Sequence, residues 1–384
     1  MNIKKIIKKY KSLDCPENVF NPCELPYDQD KYFVICTERS VGKTTNVLLF
    51  GMCANWVEDI QIQYLRESMP MIERRNLRQL FSVIKEFNYI PKITEGHYTD
   101  VVYKSHGWYY CNYDEEGNIL DLATDPFMMC LSIDQSEIYK STYNTLHNKG
   151  DIIIFDEFIS RNYRARQDSF ILMCDTIKTL IRQRETPIIF MLANTIDREN
   201  QYFYEMELND AVHSLPLGAS TEVITSGGTP IYLSFYSPGA TPEKTKHNRL
   251  YFGFKNKKLG SITGKDWALS PMPHPSQDET RTVLSRRFYV IYEDRLINLE
   301  LCRGAVDGLH VIAHFATKEP KSDSIIYSMG LRQDWRYRYK FGHTPLDRKI
   351  WTLYERKCFF YASNAVGAVI EKYYQQARDY RRLY

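Results

Sequence analysis

The stretch Tyr32-Phe33-Val34-Ile35-Cys36-Thr37-Glu38-Arg39-Ser40-Val41-Gly42-Lys43-Thr44-Thr45 decides how the rest of the chain is read. Tyr32 to Cys36 is a short apolar run of the kind that forms a buried strand, and Thr45 through Val57 carries a helical pattern. Between them, Thr37 to Thr44 matches a phosphate loop with Thr37 in place of the leading glycine. In such a loop, backbone N–H groups and the helix N-terminus cradle phosphates, the lysine reaches the β- and γ-phosphates, and the threonine hydroxyl binds Mg²⁺. A bare Gly-Lys-Thr also occurs at ordinary helix starts, so the strand before it and the helix after it carry the argument.

Working outward, a second apolar run, Ile152-Ile153-Ile154-Phe155, ends in Asp156-Glu157. An aspartate at that strand edge can hold Mg²⁺, and an adjacent glutamate can orient and deprotonate the attacking water. A third run, Ile188 to Ala193, ends in Asn194, whose uncharged amide can bond a γ-phosphate and report its loss, although strand-end asparagines also serve as turn formers. Three cations complete the candidates. Arg39 is held near the nucleotide by the loop itself, whereas Arg182 and Lys140 either reach a neighbouring subunit's transition-state charge or are solvated helix-end and loop cations.

Uninterrupted β-branched runs alternating with helices argue for an α/β domain with a mostly parallel sheet covered on both faces. The expected helices include Met71 to Phe87 and Phe170 to Arg184, with a hairpin-rich insertion around Val101 to Asn118. From Pro216 to Thr245 the composition turns to Gly, Ser, Thr and Pro, which reads as a linker with one strand at Ile231 to Phe235. Strands at Arg287–Tyr292, Leu296–Leu301 and Leu309–Phe315, then helices at Leu346–Tyr361 and Ala365–Arg382, make a smaller α+β domain. The expected division is an extension over 1–30, a nucleotide domain over 31–210, a linker over 211–247 and a second domain over 248–384.

The chain of 384 residues is 43% hydrophobic and 25% charged, enough apolar side chain for ordinary cores and too much for a disordered protein. A net charge of +3 excludes a histone-like binder, so contact with nucleic acid has to come from local patches. Ile6-Ile7 is too short for a signal-peptide core, and no stretch approaches about 18 apolar residues, so a soluble, non-exported protein with no membrane partner is expected. Nine cysteines without a C-x-x-C spacing fit neither a disulfide framework nor a zinc ribbon. Tyrosine is conspicuous, with 29 residues against 19 Phe and 5 Trp.

With Arg39 in the loop, Ile152 to Phe158, Arg182-Gln183-Arg184-Glu185 and Leu192-Ala193-Asn194 in that order, the chain resembles the DNA-packaging ATPases of phi29-like tailed phages, relatives of the large terminases. The resemblance is strong over about residues 30 to 205 and weaker beyond. It implies a P-loop ATPase of the additional-strand (ASCE) class followed by an RNase H-like domain. It also implies a homopentameric ring in the host cytoplasm, transiently at the portal vertex of a prohead, using ATP and Mg²⁺ to drive double-stranded DNA inward. The portal protein is the implied partner, together with a structural packaging RNA in that family.

By the same resemblance Thr37 to Thr45 bind nucleotide, Thr44 and Asp156 hold the metal, and Glu157 is the base. Arg39 falls on the family's phosphate-loop arginine, Arg182 on its trans-acting arginine, Lys140 on a second trans cation and Asn194 on its sensor. Thr37 departs from the family glycine, and a non-glycine residue is tolerable there if its φ stays negative.

In the terminases the second domain is a nuclease. Here Glu293, Asp294, Glu300 and Asp307 are candidates, but the last helix offers no acid before Glu371, so a nuclease-like fold without nuclease activity is expected. The final segment, from Arg332 to Arg382, carries twelve cations against five acids. With Trp335, Tyr337, Tyr339 and Phe341 interleaved, it suits a phosphate backbone or an acidic partner, and equally a solvated helix face or an edge strand. Tyr337, Tyr339, Tyr373, Tyr374, Tyr380 and Tyr384 are expected on a docking surface there. The competing readings are another ring-forming DNA translocase or helicase, and a nucleotide-switched adaptor that binds RNA or protein.

Overall fold

The structure is a computed structural model that describes residues 1–38, 41–142, 151–159, 169–181, 187–194, 200–237, 272–275, 280–292, 295–304, 308–330, 337–339 and 345–382. The chain divides into two compact units, Met1–Trp267 and Ala268–Tyr384. Among the described residues no helix is long and apolar enough to cross a membrane.

Among the described residues the first unit has ten strands: β1 Tyr32–Thr37, β2 Gln61–Arg66, β3 Asp100–Lys104, β4 Gly107–Tyr113, β5 Ile119–Leu122, β6 Met128–Ser132, β7 Asp151–Asp156, β8 Ile188–Asn194, β9 Ser220–Ile224 and β10 Pro230–Tyr236. They follow the order β3-β4-β6-β2-β7-β8-β1-β10-β9, with β5 paired to β4. Every pair from β6 through β10 is parallel. The strands are apolar on both sides because both faces are covered. Phe33, Ile35, Ile152 and Ile154 enter one core with the helix α2 (Lys43–Glu58), while Val34, Cys36, Ile153 and Phe155 enter the other with the helix Ser169–Ile181.

The insertion forms as expected: Ser105 and His106 turn β3 into β4 with φ of 50° and 61°. The single helix expected over Met71–Phe87 is instead a 3₁₀ turn, Met69–Ile72, and the short helices Arg74–Leu77 and Ser82–Glu86. The break at Phe81 lets its fully buried ring pack on Trp108 and Phe127, at centroid distances of 4.5 and 5.7 Å.

The expected linker over 211–247 is different in kind. β9 and β10 form a hairpin within it, and β10 lies parallel on β1 from Tyr32↔Ile231 to Thr37↔Tyr236. Ile231, Leu233 and Phe235 are buried there, which a spacer composition conceals. The expected 1–30 extension is likewise integral to the fold. The helix α1 (Ile3–Lys11) lies on α2, and Ile6, Tyr10, Leu13, Phe20 and Leu25 enter the core beside Phe33 and Phe50.

The second unit has β11 Arg281–Tyr292, β12 Arg295–Gly304, β13 Gly308–Phe315, β14 Ile325–Ser328, β15 Tyr337–Tyr339 and β16 Phe359–Tyr361, in the order β15-β14-β11-β12-β13-β16. β11 to β13 form an antiparallel meander, and β14 and β15 add in parallel beside β11, an arrangement that fits the expected RNase H-like fold. The helix expected over Leu346–Tyr361 stops at Glu355, where Lys357 (φ 60°) turns the chain into β16.

Candidate active site

The parallel sheet sets the site by its order. β8 lies between β1 and β7, so Asn194 at its end stands between the phosphate loop and the Asp156 strand. Thr37 is in register with Asn194, and Asp156 with Leu192. Ligands of open α/β sheets bind at this carboxyl edge.

Gly42 is the N-cap of α2 and has φ +73°, a backbone that only glycine adopts without strain. The next residue, Lys43, is buried and donates from Nζ to Asn194 Oδ1 at 2.7 Å. Two groups assigned separately to the γ-phosphate therefore already meet. Thr44 Oγ1 donates to Asp156 Oδ1 at 3.1 Å, which places hydroxyl and carboxylate side by side. Hard oxygen donors in this small number fit Mg²⁺, which keeps several waters and takes its other ligands from phosphates.

Thr37, fully buried, ends β1 outside the left-handed region, so the missing loop glycine is tolerated; its hydroxyl donates to Glu38 O at 2.7 Å. Glu38 is tied by Ser237, whose Oγ donates to Glu38 Oε1 at 3.1 Å. Val41 is buried and Thr45 lies in the first turn of α2, while Arg39 and Ser40 lie outside the described residues.

Asp156 uses both carboxylate oxygens. Oδ1 also accepts from Glu157 N at 3.1 Å, and Oδ2 accepts from Tyr64 OH at 2.8 Å. Burial first, and the Asp156 charge second, push the Tyr64 phenol well above its ordinary value, so it remains a proton donor. Glu157 sits at φ 54°, a left-handed conformation that costs a non-glycine residue about 1–2 kcal/mol. This turn, which Phe158 N closes by donating to Leu192 O at 3.3 Å, brings the Glu157 side chain, 48% exposed, to the mouth of the site.

Tyr64 and Arg66 were not singled out by the sequence. Arg66, at the end of β2, ion-pairs through Nη2 with Glu157 and lies 3.5 Å through Nη1 from Asp156 Oδ2. Its Nη1 also donates to Tyr64 OH at 3.1 Å. Burial works against its charge, and Tyr64, Asp156 and Glu157 outweigh that, holding its pKa above the ordinary value. The sequence carries no signal for it: β2 pairs with β7 from Gln61↔Asp151 to Leu65↔Phe155, and only that register sets the next residue, Arg66, beside Asp156.

Arg182 lies outside the described residues, just beyond the helix Ser169–Ile181. Lys140 lies in the helix Ser136–Thr142, and its side chain is not among the described ones. In the second unit, Glu300 is engaged by Arg286 at 2.7 Å and stands 3.5 Å from His314. Glu371 accepts from Tyr354 OH at 2.7 Å and Tyr361 OH at 3.1 Å. Glu293, Asp294 and Asp307 lie outside the described residues.

The tyrosine surface needs correction. Tyr373 and Tyr374 are 0% exposed and belong to the core, because the helix Asn364–Arg382 puts them on the same stripe as Val366, Val369, Ile370 and Ala377. The side chains of Tyr337, Tyr339 and Tyr380, and all of Tyr384, lie outside the described residues.

Together these features define an α/β nucleotide-binding domain of the additional-strand P-loop class with a smaller α+β domain after it. No family profile matches the chain, and no curated protein matches it in sequence. Solved structures do. The chain is similar to the bacteriophage phi29 viral genome packaging motor assembly, with a TM-score of 0.59 at 16% identity over 94% of this chain and 100% of that one. It is also similar to the phi28 gp11 DNA packaging motor, with a TM-score of 0.52 at 15% identity over 92% and 97%. At such identities the likeness establishes the two-domain fold.

Proposed function

We propose that the protein is a phage DNA-packaging motor ATPase, hydrolysing ATP in a homomeric ring to move double-stranded DNA into a prohead. The observation that carries the ATPase reading is the convergence of Lys43 on Asn194 and of Thr44 on Asp156 at one sheet edge, with Glu157 beside them. The packaging reading rests on similarity to two packaging motors over nearly the whole of both chains.

In this reading Lys43 and Asn194 exchange their mutual bond for bonds to the terminal phosphate. Thr44 and Asp156 would hold Mg²⁺, which when bound screens phosphate charge. Glu157, once released by Arg66, accepts a proton from the attacking water as its oxygen bonds the γ-phosphorus and the bond to the ADP oxygen breaks. Arg39 and a neighbour's Arg182 or Lys140 supply further positive charge. The ring, which we infer to be pentameric, acts at the portal vertex in the host cytoplasm, and the second domain docks on the portal protein or a packaging RNA. With Glu300 and Glu371 engaged by neighbouring side chains, that domain has no nuclease role in this proposal.

Purified protein should show DNA-stimulated ATPase activity and support packaging with proheads but no strand displacement. Glu157→Gln should bind ATP and lose about 10²–10⁴-fold in turnover, and mixing it with Arg182→Ala subunits should restore partial activity. Strand displacement without packaging would favour a helicase, and an ATPase indifferent to both substitutions would refute the site.

A further inference from the structure

The segment ahead of β1 reaches two carbonyls of the phosphate loop, Val41 O directly and Gly42 O through Asn46 of α2. Tyr10, 4% exposed, donates from OH to Asn46 Oδ1 at 2.7 Å, and Asn46 Nδ2 donates in turn to Gly42 O at 3.0 Å. After α1 the chain returns across the loop, where Phe20 N donates to Val41 O at 2.9 Å. Val19 closes the outer face of Gly42, where an added Cβ would stand 3.3 Å from Val19 Cβ. This strap is held from behind: Tyr236 OH donates to Val19 O at 2.9 Å, and the Phe20 ring meets Tyr236 edge-on at 5.4 Å.

A trans peptide is planar, so its C=O and the following N–H point in opposite directions. Fixing Val41 O therefore aims the N–H of Gly42. Gly42 O, which also accepts the first helical bond from Asn46 N at 2.9 Å, aims the N–H of Lys43, and the Asn46 amide is a second tether on that carbonyl. These N–H groups are two of the donors that a phosphate loop turns toward its anion.

We propose that Tyr10, acting through Asn46, and the Val19–Phe20 strap are positioning residues of the nucleotide site, setting the direction of the Gly42 and Lys43 N–H groups toward the phosphates. This rests on the ATPase reading above and adds a determinant outside the motif. The hydroxyl of Tyr10 is a constant donor, because burial first, and the Cys15 thiol second, push its pKa far above the ordinary value.

The test is Tyr10→Phe in the full chain, a nearly isosteric change, with a fluorescent ATP analogue titrated in the presence of Mg²⁺ and steady-state hydrolysis measured in parallel. Loosening the ligand-free loop by an amount comparable to the net worth of one hydrogen bond, about 1 kcal/mol, would have to be repaid on binding and predicts about five-fold weaker affinity and a matching rise in KM, with kcat within two-fold of the parent. Asn46→Ala should reproduce the effect, and the double variant should add nothing to it. Ile6→Val, in the same core but without a polar link to the loop, should lower thermal stability and leave KM alone. Unchanged affinity in Tyr10→Phe, or an equal rise in KM for Ile6→Val, overturns the proposal while leaving the ATPase intact. A parent protein that neither binds nor hydrolyses ATP overturns both.

Discussion

Arg66→Ala separates two roles that the structure assigns to one guanidinium. Its side chain is 15% exposed and faces Asp156, 5% exposed, and Glu157, 48% exposed. The half-exposed Glu157 pair contributes about 0.5 kcal/mol, since solvent screens it. The contacts to Asp156 and Tyr64 are better shielded, and losing them leaves a buried carboxylate with neutral donors only, at about 1.5 kcal/mol. The nucleotide-free protein should thus lose about 2 kcal/mol, a fall in Tm of about 4–8 °C for a unit of this size.

The second effect has the opposite sign. A guanidinium beside the carboxylate that would hold Mg²⁺ competes with the ion: at an effective dielectric near 20 and a separation of about 5 Å the bare repulsion is roughly 6–7 kcal/mol, and if solvent and phosphate charge leave about a fifth of it, ~1.4 kcal/mol, that is about ten-fold in affinity. Arg66→Ala should therefore melt earlier without ligand yet need about ten-fold less Mg²⁺ to bind ATP, read by thermal shift across a Mg²⁺ titration. A variant with a lower melting point and an unchanged or increased Mg²⁺ requirement would refute the competition and make Arg66 a plain structural counter-ion.

Gly42→Ala should cost at least 1–2 kcal/mol from its positive φ alone. Its new methyl would also stand 2.9 Å from Asn46 Nδ2, so both chemical denaturation and nucleotide titration should register the change. For pH, Lys5 lowers the Glu58 pKa by hydrogen bonding, and Lys9 does the same for Glu95. Depressed carboxyl pKa values contribute stability that is present above the unfolded value of about 4.3 and is lost as pH falls through the folded values. Hydrogen-exchange protection of α1 should accordingly drop on the acid side of that point and stay flat from pH 6 to 8; loss on the alkaline side would count against these ties.

The parts of the site carried by contiguous motifs were legible in the sequence. The apolar runs of β1, β7 and β8 end in Thr37, Asp156 and Asn194, and one rule about parallel sheets brings those ends together. Arg66 and Tyr64 were not, because their role arises from the pairing of β2 with β7, a contact between segments with no shared signature. β10 was legible as a strand, but its place beside β1 was hidden by the Gly- and Ser-rich residues flanking it. Tyr373 and Tyr374 misled for the opposite reason: a basic neighbourhood in sequence says nothing about the buried stripe of a helix.

The position of β10 bears on how mechanical work could pass through the molecule. The chain that goes on to the second unit leaves this strand beside the loop, where Tyr236 holds Val19 and Ser237 holds Glu38. A pull along the strand axis shears β10 against β1 and is shared over every rung from Tyr32↔Ile231 to Thr37↔Tyr236. A pull on residue 237 would therefore load the bonds from Tyr236 to Val19 and from Ser237 to Glu38 together with the β1 pairing, so the nucleotide site shares in any strain carried by this strand.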